Sequence, residues 1–97
     1  MPKAYWVATY HKIKDPEKLA AYAKLAAPAL IAAGAKFIAR GMPAKVYENG
    51  VMERTVIQEW ASVEAAIKGH DSPGYQEALR ALGDGCEREI RIIEGVE

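Results

Sequence analysis

Apolar and polar positions mix on both faces of the opening segment, "AYWVATYHK", residues 4–12, whose aromatic and β-branched content predicts a strand. Asp15, Pro16 and Glu17 then form a helix start. The Asp side chain can accept from free N–H groups, proline is tolerated at the first helical position, and an acid there suits the dipole. Leu19, Tyr22, Ala23, Ala26, Leu30 and Ala33 follow at three- and four-residue spacing, one apolar stripe that Gly34 closes. Pro28 has no N–H for the carbonyl of Lys24, so a kink or a restart as a second short helix is predicted there.

From Lys36 the period changes to two: Lys36, Ile38 and Arg40 alternate with Phe37 and Ala39 until Gly41 and Pro43 break the pattern. Asn49-Gly50 between β-forming flanks predicts a type I′ hairpin tip, with a returning strand that runs through "RTVIQEW" to Trp60 and is the longest in the chain. Ser62 caps a short helix carrying Val63, Ala66 and Ile67, which Gly69 ends. Ser72 and Pro73 start another, with Tyr75, Ala78, Leu79 and Leu82 on its buried face, and "REIRIIEG", residues 88–95, is the last strand.

The order βαββαβ, with its second helix broken in two, predicts an α+β, ferredoxin-like fold. Its four-stranded antiparallel sheet is ordered 4-1-3-2, with helices on one face. No repeat or linker divides the 97 residues, so residues 1–97 are expected to form a single domain. A sheet with water on one side should alternate apolar with polar, yet Trp6 and Val7, Phe37 and Ile38, Val56 and Ile57, and Ile92 and Ile93 are apolar at both parities. A second copy packing sheet against sheet is the expected cover, giving a homodimer; which parity faces its interior is not determined by the pattern.

Composition narrows the partners. With 13 basic and 13 acidic residues intermixed, the chain has none of the electrostatic footprint that nucleic acid requires. No apolar run approaches the roughly 18 residues of a membrane span, and the first residues read as strand rather than as a secretory signal. A cytoplasmic location is expected, and the single Cys86 fits a reducing compartment. No metal-ligand spacing, phosphate loop or nucleophile elbow occurs, so neither a metal nor a nucleotide cofactor is expected.

Candidate chemistry rests on few residues. Arg40 could hold a carboxylate or enolate through its planar fork, be a solvated arginine next to Gly41, or pair with Glu48 or Glu53. The 4-1-3-2 order brings it to the same edge as His11, Arg54 and Thr55, a possible shared pocket between facing sheets, while Lys36 and Glu59 should pair at the opposite end. His11 reads as a general base or as a polar strand end. His70, beside Asp71 and one turn from Tyr75, reads as a proton-transfer group or as punctuation between helices. Tyr5, Trp6, Tyr10 and Trp60 could line a cavity for an aromatic or polyketide-like substrate, or simply pack.

Together "YW", "DPEKLAAYAKLAAPAL", "GAKFIARG", "VIQEW", "DSPGYQEAL" and "IRIIEG" resemble the family of domain of unknown function 1330, in the dimeric α/β-barrel superfamily, over nearly the whole chain. The resemblance implies a ferredoxin-like subunit, a homodimer with facing sheets, and no established reaction. The superfamily also holds cofactor-independent monooxygenases, lactone isomerases, chlorite dismutases and stress-responsive proteins, so fold alone does not choose a chemistry. Two functions are therefore carried forward: a homodimer that binds a small metabolite, and a cofactor-independent, monooxygenase- or isomerase-like enzyme for an enolisable or carboxylated substrate.

Overall fold

The computed structural model describes residues 2–96. Strand β1 (Ala4–Ile13) leads into helix α1 (Pro16–Ala33), β2 (Lys36–Gly41) and β3 (Thr55–Trp60), then α2 (Val63–His70), α3 (Pro73–Leu82) and β4 (Cys86–Glu94). The sheet is antiparallel in the order β2-β3-β1-β4, which is the expected ferredoxin-like topology with the helices on one face. That face holds the core: Trp6, Trp60, Tyr75 and Leu30 are its largest fully buried side chains. Trp6 stacks on Trp60 at 6.2 Å and meets the edge of Tyr75 at 5.2 Å. Full burial of aromatic side chains of this size is the dominant stabilising term for so small a domain.

The caps follow the sequence. Asp15 accepts from the N–H groups of Glu17 and Lys18, Ser62 from that of Ala65, and Ser72 from that of Tyr75. Gly34 closes α1 at φ 119°, a left-handed conformation that a side chain would strain. Gly69 has a different reason to be glycine. A Cβ there would lie 2.3 Å from Trp60 Cη2, so the ring packs directly on the helix backbone.

Three expectations are corrected. Helix α1 continues through Pro28 and does not restart there as a second short helix. Both Pro28 and Lys24 lie on its exposed side, where the carbonyl that lost its partner can be hydrated. The hairpin around Asn49-Gly50 does not form, and the longest strand is β1 rather than β3, which begins only at Thr55. Gly41 at φ 148° and Pro43, which has no N–H, turn the chain out of the ladder. The tight turn there spans Tyr47 to Gly50, closed by Gly50 N–H on the Tyr47 carbonyl, with Glu48 rather than Asn49 at positive φ. Finally, α2 extends through Gly69 to His70.

Strand β2 carries the irregularity that matters most. Phe37 pairs with Gln58 and Ala39 with Ile57, so Ile38 is an extra residue in a β-bulge. Beyond it Arg40 pairs with Val56 and shares the helix face with Phe37, three residues away, instead of the open face with Lys36.

Candidate functional site

Beyond an end row of Ala4 and Trp60, the register arranges the helix face in three further cross-strand rows. The first is Ile92, Trp6, Gln58 and Phe37; the second is Ile90, Ala8, Val56 and Arg40; the third is Arg88 and Tyr10, with Arg54 joined through its carbonyl to the Tyr10 N–H. Rows lie two residues apart along the regular strands, about 6.7 Å, and three apart across the bulge of β2. The middle row is small at its centre, Ala8 and Val56, and α1 passes overhead with Ala23, Ala26 and Ala27. Small side chains on both walls leave a partly open cavity of about 50 Å³. A second, shallower hollow of about 480 Å³ adjoins it by sharing Tyr10, Tyr22, Ala23 and Arg54, and extends to Ile13, Pro16 and Leu19.

The two ends of the cavity differ. Leu30, Phe37, Trp6 and Gln58 bound one, whereas Arg88, Arg54, Arg40, Tyr10 and Tyr22 bound the other. Arg88 donates to the hydroxyls of Tyr10 at 2.9 Å, Tyr22 at 3.1 Å and Tyr75 at 3.3 Å, and the Tyr22 and Tyr75 hydroxyls are themselves 2.7 Å apart. Its guanidinium also lies over the Tyr22 ring at 4.6 Å and the Tyr10 ring at 5.4 Å. Arg40 lies over the Phe37 ring at 5.0 Å. None of the ion pairs among the described residues involves Arg40, Arg54 or Arg88. Arg40 is exposed and makes no ion pair with Glu48 or Glu53, which agrees with the solvated alternative, while its side chain also borders the cavity.

Burial works against the Arg88 charge, but the three surrounding tyrosine oxygens outweigh it and the guanidinium is held more firmly protonated than usual. Burial, with the neighbouring Tyr22 adding to it and Arg88 opposing it, pushes the Tyr75 hydroxyl well above the ordinary phenol range. Tyr10 is raised too, again chiefly by burial and against the pull of Arg88. Guanidinium groups only donate. A phenol accepting from Arg88 can still donate, although one of the Tyr22 and Tyr75 hydroxyls gives its proton to the other, so this end of the cavity is rich in donors and has no carboxylate.

The remaining candidates separate. Trp6, Tyr10 and Arg40 line the cavity, which lies between sheet and α1 rather than between facing sheets. His11 and Thr55 share the predicted end of the sheet but sit at the opposite parity, and together line a hollow with Pro43, Val46, Asn49 and Val51. Trp60 is buried and outside the lining; its indole N–H donates to Gln58 Oε1 at 3.1 Å. Lys36 is in register with Glu59 as expected, but the carboxylate pairs with Lys3 at 3.0 Å.

His70 Nδ1 lies 3.0 Å from Asp71 Oδ1, so these adjacent side chains do meet. Its ring is 5.2 Å from that of Tyr75 and 5.6 Å from that of Trp6, yet it lines a separate hollow with Ile67, Asp71, Ile90 and Ile92. The junction is tied through Ser72, which donates to the Gly69 carbonyl, and Gln76, which donates to the His70 carbonyl.

Arg88, Tyr22, Tyr75 and Gln58 escaped the sequence reading as site residues. A signal existed for Arg88, which alternates with Ile90 and Ile92 on the buried parity of its strand. Gln58 likewise alternates with Val56 and Trp60. Among the described residues no group of three or more His, Cys, Asp or Glu side chains is placed to hold a metal ion, and no helix is long and apolar enough to cross a membrane.

Solved structures share this architecture. RPA0582, a protein of unknown function from Rhodopseudomonas palustris, superposes with a TM-score of 0.78 at 16% identity, over 99% of this chain and 84% of its own. SnoaB, a cofactor-independent oxygenase from Streptomyces nogalater, gives 0.71 at 12% identity, over 100% and 96%. A dimeric ferredoxin-like protein of unknown function from Thermobifida fusca gives 0.65 at 15% identity, over 97% and 92%. At these identities the likeness shows the fold alone. Among curated proteins none matches the chain by sequence. The profile of one family matches residues 3–96, and by it the chain belongs to the family described as domain of unknown function DUF1330.

Proposed function

We propose that this protein binds a small organic acid in the cavity between the sheet and α1. The observation that carries this reading is the donor-rich cluster: Arg88, Arg54 and Arg40 with the hydroxyls of Tyr10 and Tyr22, converging on one cavity without a carboxylate partner. A partly buried cation is costly until an anion meets it, and a planar guanidinium suits a carboxylate or enolate. The apolar opposite end suits an aromatic or alkyl body.

The test is thermal stabilisation by 4-isopropylbenzoate and by its neutral amide. At ten times Kd the acid adds about 1.4 kcal/mol, roughly 6–11 °C for a domain of this size. Arg54→Ala and Arg40→Ala are expected to lose most of that shift, and the amide to give none. Equal shifts from acid and amide, or a full response in both variants, would refute the reading.

A cofactor-independent enzyme is the second reading. The hydroxyl pair Tyr22–Tyr75 leads from the cavity wall towards His70, and the fold is shared with SnoaB. Binding takes precedence because the cavity's polar end presents donors and no base. Exchange of the acetyl protons of 4-acetylbenzoate in heavy water separates the two: a rate no faster than in buffer eliminates the enzyme.

The protein is further proposed to be a homodimer through the open face of the sheet. Val7 and Ile57 face each other there, Ile93 is 60% exposed beside them, and the Thermobifida fusca relative in fold is described as dimeric. It is proposed to work in the cytoplasm, as its single cysteine and neutral charge balance suggest.

A further inference from the structure

Gln58 is 3% exposed, and its carboxamide is oriented by chemistry rather than by choice. The Trp60 indole can only donate, so the Gln58 atom 3.1 Å from it is the oxygen and the amino group points the other way. That amino group has no hydrogen-bond partner among the described residues, whereas every fully buried side-chain nitrogen or oxygen has one. The Gln58 nitrogen must therefore border open space, and the space that Gln58 lines is the cavity.

Resting on the acid-binding reading, we propose that Gln58 determines specificity by donating to a carbonyl or other neutral acceptor at the far end of the ligand. The rows give the spacing. Gln58 sits one row from Arg40 and two rows from Arg54 and Arg88, about 7 to 13 Å along the strands. Side chains converging from both ends shorten that span inside the cavity. The ligand class is an extended, rod-like acid whose second oxygen lies several bonds beyond the carboxylate, across an apolar or aromatic spacer. A 2-oxo acid, with both oxygens at one end, does not fit this spacing.

The test is a matched pair, 4-acetylbenzoate and 4-isopropylbenzoate, which differ by a carbonyl oxygen in place of a methyl group. Calorimetry on the wild-type protein is expected to show the acetyl compound bound about five- to tenfold more tightly, the worth of one buried neutral hydrogen bond. Gln58→Leu should bring the two within about twofold, chiefly by weakening the acetyl compound, while Arg54→Ala weakens both alike. Gln58→Glu keeps an acceptor for Trp60 and replaces the donor with an acceptor, so it must abolish or invert the preference if the leucine variant fails to fold. Equal affinities in wild type, or a preference surviving in either Gln58 variant, overturns the inference and leaves the acid site standing. Failure of the folded wild type to bind either acid overturns both.

Discussion

Filling the middle row of the cavity from its floor separates space from charge. Ala8 is 3% exposed and flanked on the same face by Val56 and Ile90. Ala8→Val adds two methyl groups, each worth about 0.8 kcal/mol when buried, and a residue that favours strands. If the site were already full, overpacking would instead cost about 1–3 kcal/mol. The free space above Ala8 decides between these, because the cavity there is about 50 Å³ and the added methyls enter a void. The expected net gain is about 1 kcal/mol, a rise in Tm of roughly 4–8 °C by calorimetry. The same valine occupies the spacer region of the ligand, so stabilisation by 4-isopropylbenzoate and 4-acetylbenzoate should disappear. A fall in Tm with the ligand response intact would refute the reasoning twice over, showing a packed middle row and acids bound elsewhere.

Tyr10 and Tyr75 hold their protons more tightly when folded, mainly through burial. Their contribution is complete below about pH 10, where the unfolded phenols begin to ionise, and is lost as pH rises further. Thermal melts should therefore drop steeply above that pH, and Tyr75→Phe should flatten the slope; parallel slopes would contradict the burial argument. In sedimentation equilibrium the protein should show twice the mass of the 10.6 kDa chain, and Ile57→Lys on the open face should halve it. A single-chain mass for wild type at micromolar concentration rules out the dimer.

The fold was readable because each element carries its own signal: Asp15-Pro16, Ser62 and Ser72-Pro73 mark helix starts that the structure uses. The site was only half readable. Trp6, Tyr10 and Arg40 were identified, but their setting was placed between two sheets because apolar residues at both parities hide which face is which. Arg88 and Gln58 look like ordinary polar strand residues until register puts them opposite Tyr10 and Trp6. The segment after Gly41 misled for a related reason: Val46, Tyr47 and Val51 favour strands locally, but local preference cannot supply a ladder partner once Gly41 and Pro43 have turned the chain away.

The insertion at Ile38 works like a gear tooth. Pairing β2 residue for residue, with Ile38 kept but no bulge, would rotate Arg40 out of the proposed acid pocket and carry it to the surface proposed to meet a second subunit. Ancestry comparisons that count columns without noting this extra step would thus assign the same arginine to the wrong side of the molecule. Deleting Ile38 would instead leave Phe37, Ala39 and Arg40 in plain alternation, with Arg40 still opposite Val56.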